Sequence, residues 1–156
     1  MAEREHRHPA PPAADTSGCT DHSDAGVAKP AGCVSVLVAD DEPAIRDLLT
    51  TVLAGMGIGR IDSAQNGLEA CELCLGNEYD IIFLDVSMPV LSGVDAYRRI
   101  REARPSTRVV FITGLYQDEE LIEKIGGERT CGYIRKPFNI ADIRSIVSCV
   151  VRAGIT

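Results

Sequence analysis

From Cys33 onward, short apolar runs alternate five times with amphipathic stretches. The runs are Val34–Ala39, Arg60–Ala64, Ile81–Leu84, Val109–Ile112 and Gly132–Ile134. The first, third and fourth are almost wholly apolar, the pattern of strands buried on both faces. Helical patterns follow each run. Pro43–Met56 sets Ile45, Leu48, Leu49, Val52 and Leu53 on one face, with Pro43 in the first turn, where its missing N–H costs little. Asn66–Leu75 and Ser92–Glu102 each open at a capping residue, and Pro105 follows the second. Asp118–Ile125 opens with acidic residues suited to a helix N-terminus and stops at Gly126-Gly127. Asn139–Val151 carries Ile140, Ile143, Val147 and Val150 at helical spacing behind Asn139.

Five βα units predict an α/β fold: a five-stranded parallel sheet with helices on both faces and right-handed crossovers. The expected architecture is flavodoxin-like and doubly wound, with strand order 2-1-3-4-5. In such sheets ligands sit beyond the carboxyl ends of the strands, so the chemistry is sought there.

Residues 1–32 are a different material. They hold Pro9, Pro11, Pro12, Pro30 and all three histidines, and Val27 is their one branched aliphatic residue. Such a segment cannot bury enough apolar surface to offset its ordering entropy, so a disordered tail is expected over 1–32 and a single domain over 33–156. His6 and His8 read as part of a solvated tail rather than a metal site.

Composition narrows the function. A net charge of −7 on 156 residues repels phosphate backbones, which argues against nucleic-acid binding. No apolar run approaches the length of a membrane helix, and the N-terminus lacks the apolar core of a signal peptide. A cytoplasmic protein is expected, with its six scattered cysteines reduced. Cys71 and Cys74 form a C-x-x-C inside a helical pattern with no second pair nearby, so they read as small buried helix residues.

The strand ends carry the candidate chemistry. The first ends in Asp40-Asp41-Glu42, the third in Asp85, the fourth in Thr113, and the fifth in Lys136 followed by Pro137-Phe138. Asp40, Asp41 and Asp85 are expected to lie together, because the first and third strands are neighbours in this order. Two like charges about 4 Å apart repel by about 4 kcal/mol at an effective dielectric of 20. Lys136 supplies one compensating charge, and a divalent cation supplies two more. Oxygen-only ligands favour Mg²⁺, which keeps several waters and binds phosphate. Capping of the first helix accounts for one of the two adjacent aspartates but not for Asp85 and Lys136.

From Val34 to Val151 the chain resembles the receiver domain of two-component response regulators. Val38-Ala39-Asp40-Asp41-Glu42-Pro43 resembles the acidic pocket of that family, and Leu84-Asp85-Val86-Ser87-Met88-Pro89 with Gly93 its phosphoacceptor segment. Thr113-Gly114 and Lys136-Pro137-Phe138 are similar to its remaining signatures. The resemblance implies a phosphorylation-dependent switch, not an enzyme beyond its own phosphorylation and dephosphorylation. Asp85 is implied as the phosphoacceptor, served by a histidine kinase or a histidine phosphotransfer protein. Asp41, Asp85 and the Ser87 backbone carbonyl are implied as Mg²⁺ ligands, with Asp40 acting through metal-bound water. Lys136 is implied to pair with the carboxylate and then with a phosphate oxygen, and the Lys136-Pro137 bond is implied to be cis. Thr113 and Tyr133 are implied as the switch pair that alters the surface met by a downstream protein target. Since the resemblance takes up everything after the tail, a stand-alone receiver is expected.

Three other readings compete. A phosphatase of the haloacid dehalogenase type wants Asp-x-Asp after the first strand, where this chain has Asp-Asp-Glu. A flavodoxin-like electron carrier needs a phosphate-binding loop there, and the three carboxylates repel a flavin phosphate. A scaffold that keeps the fold but is never phosphorylated is disfavoured by the intact acidic set.

Overall fold

The computed structural model describes residues 31–114, 120, 122–124 and 130–152, without the side chains of 31, 130, 131 and 152. After a 3-10 turn at Ala31–Cys33, the strands are β1 (Ser35–Ala39), β2 (Arg60–Ala64), β3 (Ile81–Asp85), β4 (Arg108–Thr113) and β5 (Thr130–Arg135). The helices α1 (Pro43–Gly55), α2 (Gly67–Gly76) and α3 (Gly93–Ala103) lie between them, and a C-terminal helix covers Ile140–Arg152. All strand pairs are parallel and the order is β2-β1-β3-β4-β5, as the alternation predicts.

The sheet divides the core in two. Val36 and Val38, Ile81 and Phe83, and Val110 and Ile112 face one side, where Leu49, Val52 and Leu53 of α1 meet Ile143, Val147 and Val150 of the C-terminal helix. Leu37, Ile82, Leu84, Val109 and Phe111 face the other side, against Ala70 and Cys74 of α2 and Ala96, Tyr97 and Ile100 of α3. Side chains on a strand alternate between faces, so two covered faces require a nearly continuous apolar strand. Ile140, counted by helical spacing with the core face, is instead exposed, because it opens the helix.

The helix starts follow the expected caps. Asn66 accepts from the Glu69 N–H (2.8 Å) and Ser92 from that of Asp95 (3.2 Å). Asn139 and Asp142 bond each other's backbone N–H reciprocally at 3.0 Å, a capping box with aspartate in the third position. Of the helix expected over Asp118–Ile125, residues 120 and 122–124 are helical, and Ile122 is buried with the α2–α3 layer. The rest of that stretch, and the tail up to residue 30, lie outside the described residues.

Two local features depart from the sequence reading. Strand β5 starts at Thr130, before the expected Gly132, and its register with β4 shifts between Val109 and Val110. The shift is a bulge, and Gly132 within it takes φ +124°, which favours glycine. Cys33 is disulfide-bonded, against the expectation that all six cysteines are reduced, whereas Cys71, Cys74 and Cys149 are free thiols. Pairing depends on which Cβ atoms the fold brings together, which scattered positions do not reveal. Cys71 and Cys74 are buried under α3, and burial pushes the Cys74 thiol up to about 12. Among the described residues, no helix is long and apolar enough to cross a membrane.

Candidate functional site

The candidate residues converge at the carboxyl edge of the sheet. The register pairs Ala39 with Leu84 and Asp85 with Ile112, so the ends of β1, β3 and β4 lie side by side. Asp85 is the last residue of β3 and Thr113 the last of β4, and both are buried. Asp40 follows β1 directly and is fully buried, whereas Asp41 is exposed. Each of Asp40, Asp41 and Asp85 brings a carboxylate oxygen within 4.8 Å of the other two.

Lys136 follows β5 and spans this cluster. Its Nζ lies 2.9 Å from Glu42 Oε1, 3.0 Å from Asp40 Oδ2 and 3.4 Å from Asp85 Oδ2. The Lys136 backbone N–H donates to the Thr113 carbonyl (2.7 Å), which fixes where the lysine leaves the sheet. The following Lys136-Pro137 peptide bond is cis, as the resemblance implies. The other carboxylate oxygens are held by backbone: the Glu42 N–H donates to Asp40 Oδ1 (2.9 Å) and the Ser87 N–H to Asp85 Oδ1 (3.2 Å). The Arg46 guanidinium on α1 donates to the Asp40 carbonyl (2.6 Å) and ties the end of β1 to the first helix.

These surroundings set the ionisation. Burial pushes the Asp85 carboxyl up to about 7, the Asp40 charge adds to this, and Lys136 and the Ser87 N–H act against it. Burial also raises Asp40, with Asp41 adding and the Glu42 N–H and Lys136 opposing. At Lys136 burial favours the neutral amine, but the carboxylates of Glu42, Asp40 and Asp85 outweigh it and hold the group above its ordinary range. The site thus carries more negative charge than its one ammonium balances. Asp40 Oδ2 is buried and faces the Lys136 ammonium 3.0 Å away. Three clustered carboxylates beside one ammonium, an oxygen-only donor set, fit a hard divalent cation.

The loop after Asp85 is strained. Val90 has φ 69° and is 76% exposed. A β-branched residue in the left-handed region costs on the order of 1–3 kcal/mol, and one so exposed gains little from burial to offset it. Val90→Asn, whose side chain tolerates that backbone, is expected to raise unfolding stability by about 1 kcal/mol. Urea titrations of the two proteins would measure it; equal or lower stability of the variant would show that Val90 is not strained.

Every candidate residue read from the sequence lies at this edge except Tyr133. It sits in β5 opposite Phe111, exposed on the outer side. The sequence reading had Glu42 only as part of the acidic run, without its contact to Lys136, and it missed Arg46. Three consecutive acidic residues were a signal for the first. Nothing in the sequence marks Arg46 beyond its place one turn into α1.

A (βα)5 sheet with this acidic edge and a lysine after the last strand defines a receiver-type domain. A family model described as response regulator receiver domain matches residues 36–148, and the chain belongs to this family. Among curated proteins it is similar to the chemotaxis protein CheY of Halobacterium salinarum, 31% identical over 120 residues, covering 76% of this chain and 97% of that protein. It is also similar to the autoinducer 1 sensor kinase/phosphatase LuxN of Vibrio campbellii, 34% identical over 115 residues. That match covers 72% of this chain but only 13% of LuxN. Among solved structures, the response regulator protein TrrA of Thermotoga maritima in complex with Mg(2+)-BeF matches with a TM-score of 0.66 and 30% identity. It covers 75% of this chain and 98% of that one.

Proposed function

We propose that this domain is a phosphorylation-dependent signalling switch in which Asp85 accepts a phosphoryl group from a phosphohistidine of a sensor kinase or phosphotransfer protein. The observation that carries this is the Asp85 carboxylate itself. It is buried at the end of β3, held between the Ser87 N–H and the Lys136 ammonium, beside two further aspartates. In the transfer, the P–N bond to the donor imidazole breaks as a P–O bond to Asp85 forms, and the bonding pair leaves with the imidazole. The transition state is loose, so positioning and charge stabilisation supply most of the rate. Lys136 offsets charge on the phosphoryl oxygens, and the Thr113 hydroxyl donates to one of them. Asp41, Asp85 and the Ser87 carbonyl would hold Mg²⁺, with Asp40 contributing through its water. When bound, the ion supplies the positive charge that this carboxylate cluster and a phosphoryl group both lack. The TrrA complex with Mg(2+)-BeF supports this choice of ion by analogy. A cytoplasmic setting follows from such a kinase partner, and the negative charge of the chain favours a protein target over nucleic acid.

The phosphoryl group adds roughly 1.5–2 negative charges at Asp85. Drawing the Thr113 hydroxyl inward would open room for the exposed Tyr133 ring on the neighbouring strand to turn towards the core. That change would alter the surface a downstream protein meets.

Asp85→Asn keeps the shape and one acceptor oxygen for the Ser87 N–H but removes the nucleophile. It is expected to abolish labelling by acetyl phosphate while leaving the fold intact. Equal labelling of the two proteins would sink the assignment and favour a scaffold that is never phosphorylated. With beryllofluoride, amide shift changes in the wild type should extend beyond the loops at Asp41 and Asp85 to Tyr133; changes confined to those loops would remove the coupling.

A further inference from the structure

Glu42 stands at the N-cap of α1 but makes no side-chain capping bond. Its carboxylate reaches instead across the site to Lys136, 94 positions later in the chain, at 2.9 Å. The lysine thus sits closer to Glu42 than to Asp85, at 3.4 Å. The two carboxylates differ in what they can replace. The Glu42 side chain is 58% exposed, so water can take the place of the ammonium there, whereas that of Asp85 is 5% exposed and has little access to water.

We infer that Glu42 is a positioning residue that holds the Lys136 ammonium back from Asp85 until a phosphoryl group draws it in. The inference rests on the reading of Asp85 as phosphoacceptor. The ammonium has three N–H donors, and Glu42, Asp40 and Asp85 face it at 2.9, 3.0 and 3.4 Å, so a phosphoryl oxygen on Asp85 must draw a donor away from one of them. Glu42 is the exposed partner, the one that water can replace, so its contact is the one that yields. That contact therefore stabilises the unphosphorylated arrangement and opposes phosphoryl uptake. The backbone N–H of Glu42, which holds Asp40 Oδ1, is untouched by a change of side chain, so the effect of the carboxylate can be isolated.

The test compares phosphoryl uptake from acetyl phosphate in the full chain, at saturating Mg²⁺, for wild type, Glu42→Gln and Glu42→Asp. Glu42→Gln removes the charge. Glu42→Asp keeps it but is one methylene shorter, and aspartate at an N-cap prefers the backbone N–H groups of its own helix. Both variants are expected to be labelled roughly two- to fivefold faster, the range set by releasing an exposed charge pair. If Glu42→Gln gains but Glu42→Asp, which keeps the charge, matches wild type, distant repulsion of the donor explains the effect and the inference is overturned. Variants that both match wild type overturn it as well. A wild type that is never labelled overturns the reading of Asp85 first and this inference with it, which keeps the two failures distinct.

Discussion

In metal-free buffer the domain is expected to lose stability as the pH rises from about 4 to about 7, and Mg²⁺ is expected to abolish most of that loss. Asp85 titrates at its ordinary 3.8 when unfolded and near 7 when folded, chiefly because it is buried and secondly because Asp40 lies beside it. Within this window the folded state binds a proton that the unfolded state has released. Stability then falls with rising pH, by about 1.4 kcal/mol per pH unit for one such group. The Asp85 contribution is thus fully present below 3.8 and lost as the pH passes through about 7, up to about 4 kcal/mol in all. Asp40, also raised by burial, acts with the same sign. Lys136 does not enter: its folded value is raised, so its contribution persists throughout the range below its ordinary 10.5. A cation bound by the folded state favours the ionised carboxylates and adds stability by mass action. Urea titrations from pH 4 to 8, with and without Mg²⁺, measure both effects. Asp85→Asn should flatten the metal-free profile. A wild-type profile that is level or rises through the window would refute the ionisation described for Asp85.

Gly93→Ala is expected to cost about 2 kcal/mol or more and to impair phosphoryl uptake as well. Gly93 opens α3, and its N–H donates to the Val86 carbonyl (2.9 Å). A Cβ there would lie 1.9 Å from the Asp85 carbonyl oxygen and 2.9 Å from the Val86 Cα. These are backbone atoms at the end of a central strand and cannot rotate away, so either α3 lifts or Asp85 moves. Overpacking of this kind costs about 1–3 kcal/mol and sometimes more, against a gain of about 1 kcal/mol from alanine's helix propensity. Because the clash falls on the residue proposed to take the phosphoryl group, stability and labelling should decline together. Denaturation midpoints and acetyl-phosphate labelling of the variant provide the measurements. A variant within about 0.5 kcal/mol of wild type would mean that α3 can shift freely, contrary to the packing described.

Much of this was legible in the chain because its signals are local. The apolar runs of β1, β3 and β4 mark strands covered on both faces, and the alternation with amphipathic stretches predicts the parallel sheet. Asn66, Ser92 and Asn139 mark helix starts through bonds only three residues long. Asp40, Asp41, Asp85, Thr113 and Lys136 were found because strand ends in such a sheet share one edge, so position along each strand suffices to gather them. The details decided by tertiary structure are those in which one segment presses on a distant one. The sequence places Glu42 beside the acidic pair, but only the packing of β5 against β4 brings Lys136 to it. Gly93 belongs to a familiar motif, yet its necessity comes from the Asp85 carbonyl 1.9 Å from where a side chain would start. The bulge at Gly132 arises from the register between β4 and β5, and the strain at Val90 from the path the loop must take from β3 to α3. The ionisation of Asp85 is likewise a property of the assembled edge: burial and a neighbouring carboxylate set it, and neither exists until the strands are side by side.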